Sequence, residues 1–506
     1  MKKAVILIMV LTIFSKFIGF FRDVTLSYFY GASGISDAYL ISLVIPTVIF
    51  GFVATGISTG YIPMFSRIEA KHGEERSKSY TNNLINILIV FCTFIVLLGL
   101  IFTEFLVRIF ASGFEGETLQ LAVTFTRISI VGIYFTMIIR ILSGYLNLKK
   151  YYVIPTLIGL PLNIVLILAI VLSARYDFVL LLAIGNVVAV VVQFLILLYF
   201  SFKKGFAYRF VFDIKDEYIR NMVILAIPVI LGSSVNQLNK LVDRTLASQI
   251  IEGGISALNY ANTLNLFVQG VFVVSISTVM YPLISKMASQ GNITGLKRSL
   301  SQSIVGINLL VVPATIGSLF FATPIVELLF GRGAFDSQAV ALTSSAFFFY
   351  SIGMVGYGLR EVLSRAFYSL QDTKTPMING AIAMALNIVL NLILSRYLGI
   401  GGLALATSIA ALFGTALLFY SLRKKIGPLD TKGIASSFAK ILTASLVMGA
   451  TAKLFYNYAL PVAGSSSSLI AAVALAVVIY ALLVYAMKLE DMEAIIKGIK
   501  DKLKRK

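Results

Sequence analysis

Two stretches of an otherwise apolar chain carry charge where charge is costly. Between Ala4 and Gly31 the apolar run is broken by Ser15, Lys16, Arg22 and Asp23, and between 219 and 250 by Asn236, Lys240, Asp243 and Arg244. A charged side chain at the bilayer centre costs about 2.5–3.5 kcal/mol on insertion scales, so such residues face water, a partner charge or a solute inside a helix bundle. Helical spacing sorts them: Ser15, Gly19 and Arg22 share one stripe, Lys16, Phe20 and Asp23 the adjoining one, and 236, 240, 243 and 244 one face of the later span. Arg360, Glu361, Ser364 and Arg365 form a further charged turn, and Arg127 and Arg140 occupy the span 119–145. Bases outnumber acids in these stretches, and the arginine fork matches phosphate oxygens in a low-dielectric cavity. Lined this way, a chamber selects an anionic solute, with a phosphate or diphosphate the natural one. A plainer reading stands beside it. Lys16 and Arg22 can snorkel to opposite surfaces, Asp23 and Asp243 can be simple ion-pair partners, and Arg140 and Arg365 can anchor helix ends.

A second constellation is built from oxygen. Asn387 and Asn391 lie one turn apart, Thr407 follows on the next span, and Asp243 supplies a carboxylate, a set that suits sodium. Interhelical hydrogen bonding by the asparagines is the simpler alternative. Cys92, the single cysteine, lies in an apolar span and His72, the single histidine, in a charged loop, which excludes a disulfide framework and a Cys/His metal site. No nucleophile elbow, phosphate loop or zinc motif occurs, and no segment outside the apolar spans is long enough for a catalytic domain, so the chain is not expected to be an enzyme.

The elements that must hold these residues are helices. Of 506 residues 58% are hydrophobic and 13% charged, and the mean hydropathy is +0.92, values that describe an all-α polytopic membrane protein. Roughly 14 apolar stretches of about 20 residues or more are expected. They run near 4–31, 37–64, 84–110, 119–145, 153–173, 178–202, 219–250, 256–284, 300–330, 340–370, 376–396, 400–423, 435–459 and 467–488. Pro46, Pro161, Pro228, Pro313 and Pro324 lie in or near spans and can bend them. The first apolar run follows Lys2 and Lys3 like a signal peptide but lacks a small-residue cleavage site and carries charge, so it is read as retained.

The net charge of +19 is dispersed through short loops instead of forming a patch, which argues against nucleic acid. One side collects Lys2 and Lys3, Arg67 to Lys78, Lys149 and Lys150, Lys203 to Lys215, Lys286 to Arg298, Lys374, Arg423 to Lys432 and the basic tail to Lys506. By the positive-inside rule both termini are cytoplasmic. The chain also repeats itself. Gly34-Ile35-Ser36 returns as Gly254-Ile255-Ser256, Pro63 to Arg67 as Pro282 to Lys286, and Leu162 to Leu166 as Leu386 to Leu390, all at offsets of about 220. Three parts are therefore expected: an N-terminal six-helix lobe over 1–210, a second over 211–428, and two added helices with a basic tail over 429–506. Gly56 and Gly60 are a small-xxx-small pair explained by close helix packing. Parallel halves meeting around a central site imply alternating access, and so transport.

Ser15 to Asp23, Gly31 to Ala38, the Pro63 stretch and above all Phe367-Tyr368-Ser369-Leu370-Gln371-Asp372-Thr373-Lys374-Thr375-Pro376 resemble the MurJ (MviN) lipid II flippase family of the multidrug/oligosaccharidyl-lipid/polysaccharide exporter superfamily. The resemblance covers nearly the whole chain. It implies two six-helix lobes, with two extra helices forming a groove for a polyprenyl tail. It also implies movement of undecaprenyl-diphosphate-linked lipid II from the cytoplasmic to the outer leaflet of the bacterial inner membrane, in service of peptidoglycan synthesis and cell shape. The driving force would be an ion gradient or the membrane potential, sodium being the candidate ion, and cell-wall synthesis proteins are expected partners. Lys16, Arg22 and Asp23 fall where the family is charged. Phe50, Gly51 and Thr263 stand where it usually has arginines, and Lys240 and Arg244 of the seventh span are expected to supply the missing charge, with Arg360 a further expected substrate-binding residue. A flippase for another polyprenyl-linked glycan and a drug/cation antiporter of the same superfamily are the alternatives, although an antiporter calls for an acidic chamber.

Overall fold

The computed structural model describes residues 2–487, without the side chains at 2–9, 52, 228 and 231–236. Lys2, Lys3, Pro228 and Asn236 therefore lie outside the described side chains, and the basic tail to Lys506 outside the described residues. Every regular element among the described residues is helical. Ten helices come before residue 251: α1 (Lys2–Tyr30), α2 (Gly34–His72), α3 (Glu74–Ile101), α4 (Thr103–Phe110), α5 (Gly116–Ser129), α6 (Gly132–Leu148), α7 (Val153–Leu157), α8 (Gly159–Arg175), α9 (Leu181–Lys203) and α10 (Glu217–Ile250). Seven follow: α11 (Gly254–Val268), joined by a π turn to α12 (Val274–Ser289), then α13 (Ile293–Phe330), α14 (Ser337–Ile352), α15 (Met354–Ser369), α16 (Lys374–Ile426) and α17 (Thr431–Ala486).

Helix starts are set by side chains that accept the first orphan N–H groups. Asp216 accepts from the Tyr218 amide at 2.8 Å, Asn292 from Gly295 at 2.8 Å, Asp336 from Ala339 at 2.8 Å and Asp430 from Gly433 at 3.0 Å. Breaks fall where the backbone can turn. The two longest runs leave helical geometry at Gly399 (φ 56°) and Gly464 (φ 73°), between the paired stretches expected from hydropathy. α13 breaks at Phe321, three residues before Pro324, whose ring obstructs the preceding turn.

Eight of the described helices are long and apolar enough to cross a membrane, or ten if each of two bent pairs is one span. The chain is a multi-pass membrane protein. Leu225, Leu454, Val462 and Leu482 are exposed, as they must be on a surface solvated by lipid. The bent pairs are α5 with α6, at 43°, and α14 with α15, at 45°, and they stand about 220 residues apart. Lys150 and Gln371, both with positive φ just before a proline-containing helix start, stand at the same interval. The duplication read from three short matches is therefore written in the backbone as well.

Two compact units divide the chain: Met1–Ser256 with Gly333–Phe335, and Ala257–Arg332 with Asp336–Lys506. In the first, α2 is the organising helix and packs on α3, α5, α6 and α10. Its core holds Phe50, Tyr61, Phe65, Tyr80 and Tyr145, with Tyr61 stacked on Tyr80 and bonded to Thr81 at 3.0 Å. Gly56 faces Ala226 and Ile230, and a Cβ at Gly60 would meet Met222 at 2.5 Å, so the glycine pair lets α10 approach closely. At the N-terminus of α2, Gly34 donates to Glu252 at 2.9 Å, while Asp37 accepts from Gly253 at 2.9 Å and Ser256 at 2.7 Å. Each matched tripeptide thus has an amide held by a carboxylate that lies beside the other one. In the second unit α13 is the hub, packing on α12, α14, α15 and α17 through Val305, Val312, Ile441, Ala444 and Met448.

Candidate functional site

The first unit contains a cavity of about 600 Å³ walled by α1, α2, α5, α6, α8, α9 and α10. Its polar wall is periodic. α2 contributes Thr47, Gly51, Thr55, Ser58 and Thr59, and α6 contributes Gly132, Thr136 and Arg140 at intervals of four. Each threonine or serine of α2 donates to the carbonyl one turn back, for example Thr47 to Leu43 and Thr55 to Gly51, both at 2.7 Å. That leaves their oxygen lone pairs for a hydroxyl or amide of a solute. Among the described residues, Ser129, only 2% exposed, has no partner for its hydroxyl, and the Gln237 amide oxygen has none either. Such groups are costly to bury dry and are satisfied by a polar occupant.

Charge in this cavity is basic. Arg22 and Arg140 line it, and no carboxylate does among the described residues. Arg22 is backed by the buried Asp23, with Nη2 and Nε at 2.7 and 3.0 Å from Oδ1, and Nη1 reaches Asn163 Oδ1 at 3.3 Å. Arg140 has no ion pair or hydrogen bond among the described residues. One guanidinium is thus compensated and oriented, while the other contributes net positive charge.

The sequence-based site is only partly assembled here. The stripe Ser15, Gly19, Arg22 was expected to be wet, but Ser15 and Gly19 pack against Gly159 and Asn163 of α8, and only its Arg22 end reaches the cavity. Lys16 is exposed on another face, since six residues along a helix turn the side chain well past the stripe. Lys240 is exposed, and Arg244 donates to the Ile255 carbonyl at 2.9 Å. Neither lines this cavity. Asp243 accepts from Asn239 at 3.3 Å. Phe50 and Gly51, where the resemblance led to an expectation of arginine, are wall residues of the cavity. Thr263 donates back to Asn259 at 2.9 Å.

Arg140 was the residue that sequence reasoning treated as an anchor. The signal that marks it is the i, i+4, i+8 row of Gly132, Thr136 and Arg140, a polar stripe on an otherwise apolar helix. In the second unit Arg360 lies 5.9 Å from the Tyr357 ring centre, and Arg365 pairs with Glu361 at 2.7 Å. Asn391 donates to Asn387 at 3.1 Å and Asn387 to Thr407 at 3.3 Å, so three of the four oxygen-bearing residues meet there.

A family model described as "Lipid II flippase MurJ" matches residues 26–488. The chain belongs to the MurJ lipid II flippase family. A probable lipid II flippase MurJ of Vibrio cholerae is 30% identical over 83% of this chain and 82% of its own. The Thermotoga maritima member, also named probable lipid II flippase MurJ, is 29% identical over 96% of both. Among solved structures, a lipid II flippase MurJ in an inward closed conformation superposes with a TM-score of 0.83 at 27% identity, covering 95% of this chain and 98% of that one. An inward-facing multidrug resistance MATE transporter matches with a TM-score of 0.69 at 15% identity, over 81% and 94%, which shows the shared fold. As a MurJ-family member, the chain is a transporter and not a catalyst.

Proposed function

We infer that this protein is a lipid II flippase of the bacterial inner membrane, carrying the undecaprenyl-diphosphate-linked precursor of peptidoglycan from the cytoplasmic to the outer leaflet by alternating access. The observation that carries this reading is the pairing of Arg22 and Arg140 in a cavity of about 600 Å³ without a lining acid. A diphosphate brings at least two negative charges and several acceptor oxygens. Two guanidinium forks can hold it, and the hydroxyl row of α2 can meet the sugar hydroxyls. Asp23 then acts on Arg22 by fixing its fork, while the excess charge comes from Arg140. An acidic chamber, which a drug/cation antiporter would need, is not what these residues build.

Lys16, Lys240 and Arg244 add positive potential outside the cavity and draw the anionic headgroup toward it, and Arg360 is proposed as a further contact for it. Both termini are assigned to the cytoplasm from the loop charges. Asp243, Asn387, Asn391 and Thr407 are proposed as a sodium site that couples transport, and cell-wall synthesis proteins as partners. The test is translocation of purified lipid II in vesicles holding this protein, beside another polyprenyl-diphosphate glycan and with sodium replaced by potassium. Preferential movement of lipid II, slowed without sodium, is expected. Equal movement of both glycans would sink the headgroup assignment, and indifference to sodium the ion site.

A further inference from the structure

The second unit holds a polar cavity that the transport reading leaves unused. It measures about 550 Å³ and lies between α13, α14 and α17, with Thr323, Ser337, Ser344, Ser345, Phe348 and Lys453 in its wall. Lys453 is the one cation in its lining among the described residues. Its ammonium sits 5.3 Å from the Phe321 ring centre and 5.2 Å from that of Tyr456, and it makes no ion pair among the described residues. Two acids flank the wall and neither pairs with it among the described residues: Asp336 caps α14 through the Ala339 amide, and Glu327 accepts at 3.4 Å from Ser465, which is itself bonded to the Tyr456 hydroxyl at 3.1 Å. Ser344 is 5% exposed and its hydroxyl has no partner among the described residues. A buried hydroxyl and an ammonium facing one space, beside the N-terminal turn of a helix, are donors waiting for an acceptor. Phe348, 38% exposed, makes one wall apolar, and Leu454 and Tyr458 beside Lys453 on α17 are exposed at 71% and 82%. Apolar surface next to a cationic, donor-rich hollow fits an amphiphile better than a free ion.

We propose that this cavity binds the phosphate of a lipid headgroup, with Lys453 as the counter-charge, Ser344 as a hydrogen-bond donor, and the acyl chains against the apolar face beside Phe348. The site shares no residue with the cavity of the first unit. Occupation by a lipid phosphate replaces the missing counter-charge of Lys453 and satisfies Ser344 in one step.

The experiment counts bound lipid on the intact purified protein by native mass spectrometry. The probes are dioctanoyl phosphatidylglycerol, dioctanoylglycerol with the same tails and no phosphate, and inorganic phosphate. Wild type is expected to retain the phosphatidylglycerol, and Lys453→Gln to weaken that binding about tenfold. Lys453→Arg should restore most of it, and Ser344→Ala should weaken it severalfold. Lys71→Gln, at an exposed lysine that lines neither cavity, should not change it. Unaltered binding in Lys453→Gln overturns the proposal, as does equal retention of dioctanoylglycerol, which would mean an apolar groove only. Displacement of the lipid by millimolar inorganic phosphate would reassign the site to a free anion. Melting temperatures of the variants without lipid show that each is folded, so that lost binding reports on the site.

Discussion

The two units each enclose a polar hollow of similar size, about 600 Å³ in the first and about 550 Å³ in the second, yet their chemistry differs. In the first, two planar guanidinium groups share the space with a row of hydroxyls, and one of them is steadied by a carboxylate. In the second, a single ammonium lies over two aromatic rings at the edge of apolar surface. Fixed forks recognise the geometry of a diphosphate, while a flexible point charge takes any phosphate that reaches it. The fold alone does not decide which hollow carries cargo. The donor geometry does.

Removing Arg140 breaks the contrast most sharply. Arg140→Gln should lower lipid II translocation in vesicles by at least about tenfold, in line with the loss of a charge-assisted contact to phosphate. Because Arg140 has no ion pair among the described residues, its loss should leave the melting temperature unchanged. Arg22 should behave differently. Arg22→Ala takes the guanidinium from the buried Asp23, and with the arginine side chain 28% exposed the destabilisation should be about 1–3 kcal/mol. Adding Asp23→Asn should recover most of that stability but not transport, and recovery of both in a complementation assay would reduce Arg22 to a structural role. Gly60→Leu should push α10 from α2 through Met222, destabilise by about 1–3 kcal/mol, and impair the first hollow while lipid binding in the second persists.

The smallest effect concerns the turn before α16. Lys425 at 2.5 Å and the Thr375 amide hold the Asp372 carboxyl at about 2, below its ordinary 3.8. A depressed carboxyl stabilises the folded state above its unfolded value, and that contribution fades as pH falls from 3.8 toward 2. Asp372→Asn should therefore cost under about 1 kcal/mol at neutral pH, since the pair is partly solvated, and much less at pH 2. Denaturation of both proteins across that range would show the difference close.

Much of this was readable from residue order. Hydropathy placed the divisions at 397–399 and 460–466, where Gly399 and Gly464 turn the chain, because a glycine between two long apolar stretches is a local signal. The motif from Phe367 to Pro376 proved to be a helix start, with Asp372 accepting from Thr375 and Gln371 in the left-handed region. What sequence could not separate was burial from exposure among charges on one helix. Lys16 and Arg22 look equivalent in α1, yet only Arg22 reaches the cavity, because Lys16 projects from another, exposed face of the helix. Arg140 resembled an anchor because its role depends on α2 and α8 lying across from it. That is a tertiary fact. The bends between α5 and α6 and between α14 and α15 were also hidden, lying within continuous apolar runs.

The central claim is that two arginines in the first unit grip a diphosphate. Its most direct measurement is the affinity of purified wild type and Arg140→Gln for undecaprenyl diphosphate and undecaprenyl monophosphate. Wild type should prefer the diphosphate by about tenfold, and the variant should lose that preference while keeping its hold on the monophosphate. An undiminished preference in Arg140→Gln would contradict the account.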